Sequence, residues 1–488
     1  MPRGEGIMRN DDGEEEHEGQ EMRVRVATGA SLEDVALRRR SAEEFLRRPP
    51  EYEPRALRVC SCAFFAVASC LFFIGMAMGS MFIPVQWNWP GGKIPCSPGP
   101  PGRELAWRAL PSDGEELSRI AFGTCANQIY PAAYLDVLSD LQPQLTVLGG
   151  DNVYGDCSSM ACPELHAAYD LLRRRPSWRG AANTLATVAT WDDHDVGKSD
   201  GDASNPYKAV AKELFLDFFG VPTDDVTRGR EGVYRRFEFG PTGRRVQVLL
   251  LDTRWFRSSL DVAPVREPGH GPYAPSDDAT RTMLGDAQWT WLTESLRRPA
   301  QLRLLVSSIQ LLPTGHGWEC WEMLQPEKDR LFNLLSSLQV EDRAMGNGVV
   351  ILSGDRHIGG VYKVEGVQSA AAAVPYTVWE VTASAWTHSY KGKRTCPVNT
   401  TDGRDPGDFC ESPGLTNLEM CSVADEVTPE RVGSLVHEEN FALVDVNWAN
   451  QTALFTLRRA GQRPGIIPSE AGTTLRSISI DLRTLRAP

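Results

Sequence analysis

From about Leu117 to its end, the chain alternates apolar runs of strand length with longer amphipathic segments. The apolar runs predict β-strands at residues 119–124, 144–150, 185–190, 232–240, 244–252, 302–309, 347–355, 375–384, 440–448 and 452–459. Apolar residues spaced three and four apart predict helices at residues 131–141, 162–175, 205–219, 284–298 and 326–338. This alternation is typical of an α/β domain, and the strand-rich later part predicts a second sheet within it.

One segment departs from this pattern, because residues 59–85 contain no charged side chain over 27 positions. About 20 apolar residues suffice to cross a bilayer as a helix, so the segment predicts a transmembrane signal anchor. A buried core helix is the alternative, but such a helix is rarely uncharged on every face over this length. A cleaved signal peptide is disfavoured, because the run begins too late and is too long.

The charges on either side of this segment predict its orientation. Seven arginines precede it, whereas only Lys93 and Arg103 follow closely, which indicates a cytosolic amino terminus. The rest of the chain is then lumenal or extracellular, as in a single-pass type II membrane protein. Asn399 and Asn450 each begin an N-glycosylation sequon, which agrees with that side of the membrane.

The flanking composition predicts four regions. Residues 1–58 alternate acidic and arginine clusters and predict a disordered cytosolic tail, while residues 86–117 are rich in Pro and Gly and predict a stalk. Residues 59–85 are the anchor, and residues 118–488 form the globular domain.

Cysteines in an oxidising compartment pair, and Cys157 with Cys162 or Cys396 with Cys410 would close short loops.

The overall composition limits the class of partner. A hydrophobic content of 41% with 24% charged residues is that of a globular protein. The formal net charge of -13 argues against a nucleic-acid-binding surface, which needs clustered Lys and Arg. An anionic substrate remains compatible with this charge, because a bound metal can be the largest local charge in a site.

Polar clusters follow five of the predicted strands, and ligands of open α/β sheets bind beyond the carboxyl ends of strands. The clusters contain residue types that bind metals: Cys125; Asp151, Asn152 and Tyr154; Asp192 to Asp195; Asp252 and Arg254; and Asp355 to His357. Singly, several have a structural explanation: a turn for GDNVYGD and GDRH, a salt bridge for Asp252 and Arg254, and a buried thiol for Cys125. The DDHD sequence is harder to explain without a cation, because its carboxylates repel one another. Together the clusters predict one convergent metal site.

The mixture of ligand types indicates the chemistry. A carboxylate such as Asp151 can bridge two cations that clamp the attacking and leaving oxygens of a phosphoryl displacement. The phenolate of Tyr154 and the thiolate of Cys125 favour a transition metal such as ferric iron, and carboxylate and amide oxygens suit calcium, magnesium or manganese. His194, beside these carboxylates, can donate a proton to the leaving or a non-bridging oxygen.

The ordered series FGTC, GGDNVYGD, TWDDHD, LDTRWFR, MLGDAQWTWL, SSIQLL and LSGDRH resembles the PhoD-like alkaline phosphatases of the calcineurin-like metallophosphoesterase superfamily. The resemblance covers residues 118 to about 385. It implies a two-sheet α/β/β/α sandwich and hydrolysis of phosphate monoesters and diesters with ferric iron and calcium, other divalent metals also being possible. Two positions differ from typical metallophosphoesterases. Cys125 replaces an Asp-x-His pair, as it does in the PhoD-like branch itself, and SSIQLL lacks the usual histidine.

The resemblance also implies residue roles. Asp151 would bridge the metals, Cys125 and Tyr154 would bind the iron, and His194 would stabilise the transition state. His357 would be a ligand or a substrate contact, and Arg254 would contact phosphate. Further metal ligands are expected at Asn152, Asp193, Asp195, Asp252 and Asp355.

These observations predict a membrane-anchored, metal-dependent phosphatase or phosphodiesterase that uses a metal-activated water, without a covalent enzyme intermediate. Two alternatives remain open. One is a phosphodiesterase directed at phospholipids, which the membrane tether favours. The other is a non-catalytic surface protein that retains the metal-binding fold.

Overall fold

The computed structural model describes residues 104–265, 270–337, 348–366, 374–389, 428–461 and 470–485. Four predictions lie outside these residues: the cytosolic tail at 1–58, the anchor at 59–85, the sequon at Asn399 and the Cys396–Cys410 pair. Within the described residues, no helix is both long and apolar enough to cross a membrane.

The first half of the domain supplies strands to two sheets and the helices that cover the first of them. In chain order the elements are β1 (Arg119–Gly123), α1 (Tyr134–Leu141), β2 (Leu145–Leu148), α2 (Pro163–Arg174), α3 (Pro176–Thr184), β3 (Thr187–Ala189), α4 (Lys208–Phe218), the single turn α5 (Val226–Gly229), β4 (Arg235–Phe239) and β5 (Val246–Leu250). The short strands β6 (Asp261–Val262) and β7 (Tyr273–Ala274) form a small separate pair.

The second half completes both sheets. Its elements are α6 (Gly285–Leu296), β8 (Leu302–Val306), a 3₁₀ turn (Trp321–Met323), α7 (Gln325–Ser337), β9 (Val349–Ser353), β10 (Gly359–Val364), β11 (Val378–Ala383), β12 (Asn440–Asn447), β13 (Thr452–Arg459), β14 (Thr474–Asp481) and a last 3₁₀ turn (Leu482–Leu485).

The strands form two six-stranded sheets that pack face to face. The first has the order β14-β13-β12-β1-β2-β3, and the second has the order β10-β11-β9-β8-β5-β4. Apolar side chains of both sheets meet in a central core, for example Phe122 and Val147 from one sheet with Val248 and Leu304 from the other. Helices α1 to α4 cover the outer face of the first sheet, and α6 and α7 cover that of the second. The predicted α/β/β/α sandwich is therefore confirmed.

The register of the parallel strands brings their carboxyl ends level with one another. In the first sheet Leu148 of β2 pairs with Gly123 of β1 and with Ala189 of β3. In the second sheet Val306 of β8 pairs with Leu250 of β5 and with Leu352 of β9. The polar residues that follow these strands must consequently emerge along one edge of each sheet.

The two edges lie side by side. The Thr190 hydroxyl, just after β3, donates to the Leu251 carbonyl, just after β5, at 2.7 Å. The Thr124 amide, just after β1, donates to the Ala383 carbonyl at the end of β11 at 3.0 Å. These hydrogen bonds join the carboxyl ends of both sheets into a single floor for a site.

Several elements differ from the sequence expectations. Helix α3 and strands β10 and β14 were not predicted, because α3 is short and contains Gly180, β10 begins with two glycines, and β14 is largely polar. The sequence predicted a stalk at residues 86–117, of which the structure describes residues 104–117. These residues contact the domain. Trp107 donates its indole N–H to the Phe218 carbonyl at 2.8 Å and packs on Phe219.

Candidate active site

The floor of strand ends brings Cys125, Asp151, Tyr154 and His357 together, and we call these four residues the thiol–phenol cluster. Ligand atoms of Cys125, Asp151 and His357 all lie within 4.8 Å of one another. The Tyr154 hydroxyl lies 3.1 Å from Asp151 Oδ2 and 3.1 Å from His357 Nε2. Thiolate, phenolate, imidazole and carboxylate form a donor set that suits a transition metal such as iron.

A second group, the carboxylate cluster, consists of Asp151, Asp192, Asp193 and Asp355. Asp151 and Asp193 share one candidate metal group with His194, and Asp192, Asp193 and Asp355 form another, each within 4.8 Å. An oxygen-rich donor set of this kind suits calcium, magnesium or manganese. Asp151 belongs to both clusters, which is the position of a bridging carboxylate.

The backbone turns sharply to present these side chains. Cys125, Asp151, Asp355 and His357 have φ values of 64°, 52°, 69° and 52°, which residues with a side chain adopt only rarely. Gly150 precedes Asp151 with φ of 124°, and a Cβ there would lie 2.7 Å from the Asp192 Cβ. Strain of this type concentrates at functional sites, where the surrounding structure holds the backbone in place.

Most ionisable groups of both clusters are in an environment that opposes their negative charge; burial acts on Asp193 too, but His194 and Arg254 lower its pKa. Burial, followed by neighbouring charges, raises the pKa of Asp151 and Asp355 well above the ordinary value, and burial raises the pKa of Asp192 to about 6. Burial and the nearby Asp151 raise the pKa of the Cys125 thiol in the same way. A bound cation would reverse this balance, because it favours the deprotonated ligand.

Asp192 supplies a direct test of whether the residues fit a metal. Its Oδ1 accepts from the Ser308 hydroxyl at 2.6 Å and from Arg254 Nε at 2.5 Å, whereas its buried Oδ2 has no hydrogen-bond partner among the described residues. A buried oxygen of this kind is costly unless something satisfies it. Because it belongs to the carboxylate cluster, a cation is the partner that fits there. The thiol–phenol cluster fits a metal through the chemistry of its donors.

His194 lies over the thiol–phenol cluster and is held on two sides. Its Nδ1 lies 3.0 Å from Asp156 Oδ1, and its ring packs on Tyr154 with centroids 4.2 Å apart. Burial alone would lower the pKa of His194, but Asp193, Asp151 and Asp156 raise it well above the ordinary value. Asp156 consequently fixes the Nδ1 side of the ring.

Asn152 and Asp195, two predicted ligands, bond to each other. Asp195 accepts the backbone N–H groups of Asn152 and Asp192 and the side-chain amide of Asn152. The Asn152 amide also donates to the Thr190 carbonyl at 2.9 Å. In the structure this pair fastens the loop after β2 to the loop after β3, and among the described residues Asp195 belongs to no candidate metal group.

Asp252 and Arg254 also lie behind the clusters. Asp252 is fully buried and accepts backbone N–H groups from Val233, Arg254 and Trp255. Arg254 is 0% exposed, and its guanidinium is paired with Asp192 and with Glu319. This placement favours a role in positioning Asp192 over the expected direct contact with phosphate, because no part of Arg254 reaches the surface.

Three residues of this region escaped the sequence interpretation. Glu319 joins Arg254 and Arg257 behind the site, and Asp200 forms a further candidate group with Asp193 and Glu319. Ser384 lies 3.1 Å from Cys125 Sγ and accepts the His357 backbone N–H at 2.9 Å. Of these, only Ser384 carried a signal, because it is the last residue of a predicted strand.

A disulfide supports the loop that carries Asp156. Cys157 and Cys162 are bonded, which confirms that predicted pair, and the Cys157 N–H donates to the Gly197 carbonyl at 2.8 Å. This hydrogen bond joins the loop after β2 to the loop that carries Asp193 and His194, and the disulfide constrains the cysteine that makes it. Cys125 and Cys320 are the free cysteines of the described residues.

A two-sheet α/β/β/α sandwich with two metal-fitting clusters at its strand ends defines a metal-dependent phosphoesterase. The chain belongs to the PhoD-like phosphatase family, whose sequence model matches residues 121–406. It is thus a phosphoric ester hydrolase by family, and the resemblance in its motifs is confirmed.

Solved structures agree at the level of the fold. A structure of PhoD is similar with a TM-score of 0.56 and 16% sequence identity, over 78% of this chain and 72% of that chain. GAP50, the anchor in the inner membrane complex of Plasmodium, has a TM-score of 0.41 at 11% identity, over 75% and 89%. A dimetal phosphatase from Danio rerio has a TM-score of 0.38 at 10% identity, over 75% and 100%. No curated protein matches by sequence.

Proposed function

We propose that this protein is a membrane-anchored phosphatase or phosphodiesterase that binds ferric iron and calcium and hydrolyses phosphate esters without a covalent enzyme intermediate. The observation that carries the proposal is the position of Asp151, whose carboxylate belongs to both the thiol–phenol and the carboxylate clusters. Support for the anchor and for a lumenal or extracellular domain comes from the uncharged residues 59–85 and the arginines before them. The sequon at Asn450 lies on an exposed turn between β12 and β13, which is compatible with glycosylation.

In this proposal the two clusters divide the metals by chemistry. Cys125, Tyr154 and His357 would hold the iron, and Asp192, Asp193 and Asp355 would hold calcium, with Asp151 shared between them. When bound, the metals would supply Lewis acidity that activates the attacking water and neutralises the phosphoryl oxygens.

The protein's own groups would orient the substrate and transfer the proton. Asp156 fixes the His194 ring through Nδ1, so that Nε2 can donate to a non-bridging oxygen or to the leaving oxygen of the ester. Arg254 and Ser308 hold Asp192 in place from behind. Asn152 and Asp195 keep the two ligand-bearing loops in register.

The test uses the purified full-length chain with p-nitrophenyl phosphate and its bis-ester. We expect hydrolysis that is lost on chelation and restored by iron with calcium, and elemental analysis should find both metals. Asp151→Asn should lower kcat by about 1000-fold, because one substitution weakens both metal positions. Leu454→Ala, a substitution at the opposite end of the first sheet, is the control. A folded, metal-loaded protein that hydrolyses neither ester would refute the proposal.

A further inference from the structure

An aromatic series leads from the thiol–phenol cluster to the protein surface. The His388 ring lies 4.2 Å from the His357 ring and 5.4 Å from the Tyr154 ring, measured between centroids. Tyr130 lies next in the series, with its ring 5.8 Å from that of His388 and tilted by 32°. Tyr130 is therefore one ring removed from the residues that contact the candidate iron position.

The outer end of this series offers apolar surface beside a polar site. Tyr130 is 39% exposed, and its neighbour Ile129 is 65% exposed. Large apolar side chains usually avoid water when folding permits, and contiguous apolar surface at a site frequently marks where a ligand is bound. The thiol–phenol and carboxylate clusters consist of polar or ionisable groups, so they do not require apolar surface beside them.

The loop that carries these two residues is fixed to the site. The Gln128 side chain bonds to both backbone groups of Tyr154, at 2.7 and 2.8 Å. Asn127 donates its backbone N–H to the Thr387 hydroxyl at 2.9 Å, and its side chain accepts the Ile129 N–H at 3.1 Å. Arg175 donates to the Tyr130 carbonyl. The rings are consequently preorganised rather than brought together by a substrate.

The chemistry of phosphate esters supplies an occupant for this surface. A monoester bound at the clusters carries one organic group, which must leave in line with the attacking water. A diester carries a second organic group that stays on phosphorus and projects sideways from the line of attack. An aromatic group in that position could pack against Tyr130, since aromatic pairs prefer offset or tilted contacts with centroids about 4.5–7 Å apart.

We propose that Tyr130, Ile129 and the His388 ring form a subsite for the non-leaving ester group of a phosphodiester, and that this subsite selects aromatic over small aliphatic groups. The inference rests on the proposed phosphoesterase function and adds a substrate preference to it. The residues of the subsite act on specificity, and the clusters carry the reaction.

The test compares diesters that share one leaving group. Phenyl p-nitrophenyl phosphate and methyl p-nitrophenyl phosphate both release p-nitrophenol, so the ratio of their kcat/KM values reports the non-leaving group. For the metal-loaded full-length chain we expect the phenyl ester to be preferred about tenfold, which is the scale of one aromatic contact. Tyr130→Ala should reduce this ratio at least fivefold, and Tyr130→Phe should retain it.

The controls separate the subsite from the reaction itself. Leu454→Ala changes a side chain of equal exposure, 39%, at the opposite end of the first sheet and should leave the ratio unchanged. An unchanged ratio in a folded Tyr130→Ala protein would overturn the inference while leaving the phosphoesterase function intact. If no ester is hydrolysed, the function fails, and calorimetric binding of phenylphosphonate against methylphosphonate still decides the subsite. Equal affinity of the wild-type protein for the two would then overturn it.

Discussion

At the scale of single residues, the site depends on side chains that orient their neighbours and are not themselves expected to bind a metal. Asp156 is the clearest case, because nothing in its sequence context distinguishes it from a turn residue. In the structure its carboxylate contacts the Nδ1 of His194, and this contact fixes the orientation of the ring. Carboxylates that orient a histidine commonly change activity by 10- to 100-fold when removed.

Asp156→Asn should therefore lower kcat about tenfold and leave KM and metal content nearly unchanged, because the amide still fills the space but no longer stabilises the histidine charge. Steady-state kinetics and elemental analysis of the same preparation would measure this. Loss of metal from the variant would contradict the assignment, since it would make Asp156 part of the metal-binding structure.

At the scale of elements, the loops after β2 and β3 work as one unit. The hydrogen bond from Cys157 to Gly197 and the Asn152–Asp195 pair join these loops, and the Cys157–Cys162 disulfide constrains the first of them. The strands below supply level ends, but it is these cross-links that set the distances between metal ligands.

Replacing both Cys157 and Cys162 with Ser should cost about 2 kcal/mol of unfolding free energy, as expected for a short closed loop. We also expect a several-fold fall in kcat, because Asp156 adjoins the bond. Urea unfolding and kinetics would show both effects. A reducing agent should reproduce them in the wild-type protein and change nothing further in the double variant; an unaffected kcat would refute the coupling.

Strand β11 holds a further buried carboxylate, which belongs to neither cluster. Glu380 accepts the backbone N–H groups of Leu311 and Leu312, and burial raises its pKa from 4.5 to about 7. The folded protein thus holds this proton more tightly than the unfolded chain does. Its contribution to stability is full below pH about 4.5 and is lost as the pH rises through 7.

For the wild-type protein with metal present, this group should remove about 3 kcal/mol of unfolding free energy between pH 4.5 and 7.5. Glu380→Gln, which does not titrate, should lack that part of the pH dependence. Urea unfolding of both proteins at several pH values measures the difference. Parallel curves for the two proteins would show that Glu380 stays ionised when folded.

At the scale of the whole molecule, the sequence was sufficient for the architecture and for most of the site. Apolar runs located the strands because strands buried on both faces need apolar residues throughout. The polar residues that cluster after these strands then had to lie at the carboxyl-terminal edge of the sheets. Partners distant in sequence were not predictable. Glu319 pairs with Arg254 across 65 positions, and no local pattern in the chain encodes that contact.

The same reason explains why the sequence suggested a phosphate contact for Arg254. Its sequence neighbours place it at a strand end, where a phosphate contact is reasonable. Only the fold shows that Asp192 and Glu319 enclose its guanidinium.

Metal removal should destabilise the molecule as a whole, because the two clusters then contain crowded carboxylates with no cation. Binding to the folded state alone at 100 times Kd adds about 2.7 kcal/mol. Chelation should accordingly lower the Tm by several degrees, and readdition of metal should restore it, as measured by calorimetry. An unchanged Tm with loss of activity would show that the metals are bound too weakly to stabilise the fold.

The level strand ends have a practical consequence for handling the protein. The first described residues join the fold at the amino end of β3, where Arg108 bridges Ala186, and the site lies beyond the carboxyl ends of the same sheet. A fusion partner or a biosensor surface attached on the amino-terminal side of the domain would therefore lie at the end of the first sheet opposite the metal-binding clusters. Immobilised in this way, the protein should bind soluble esters and inhibitors with the affinity that it has in free solution.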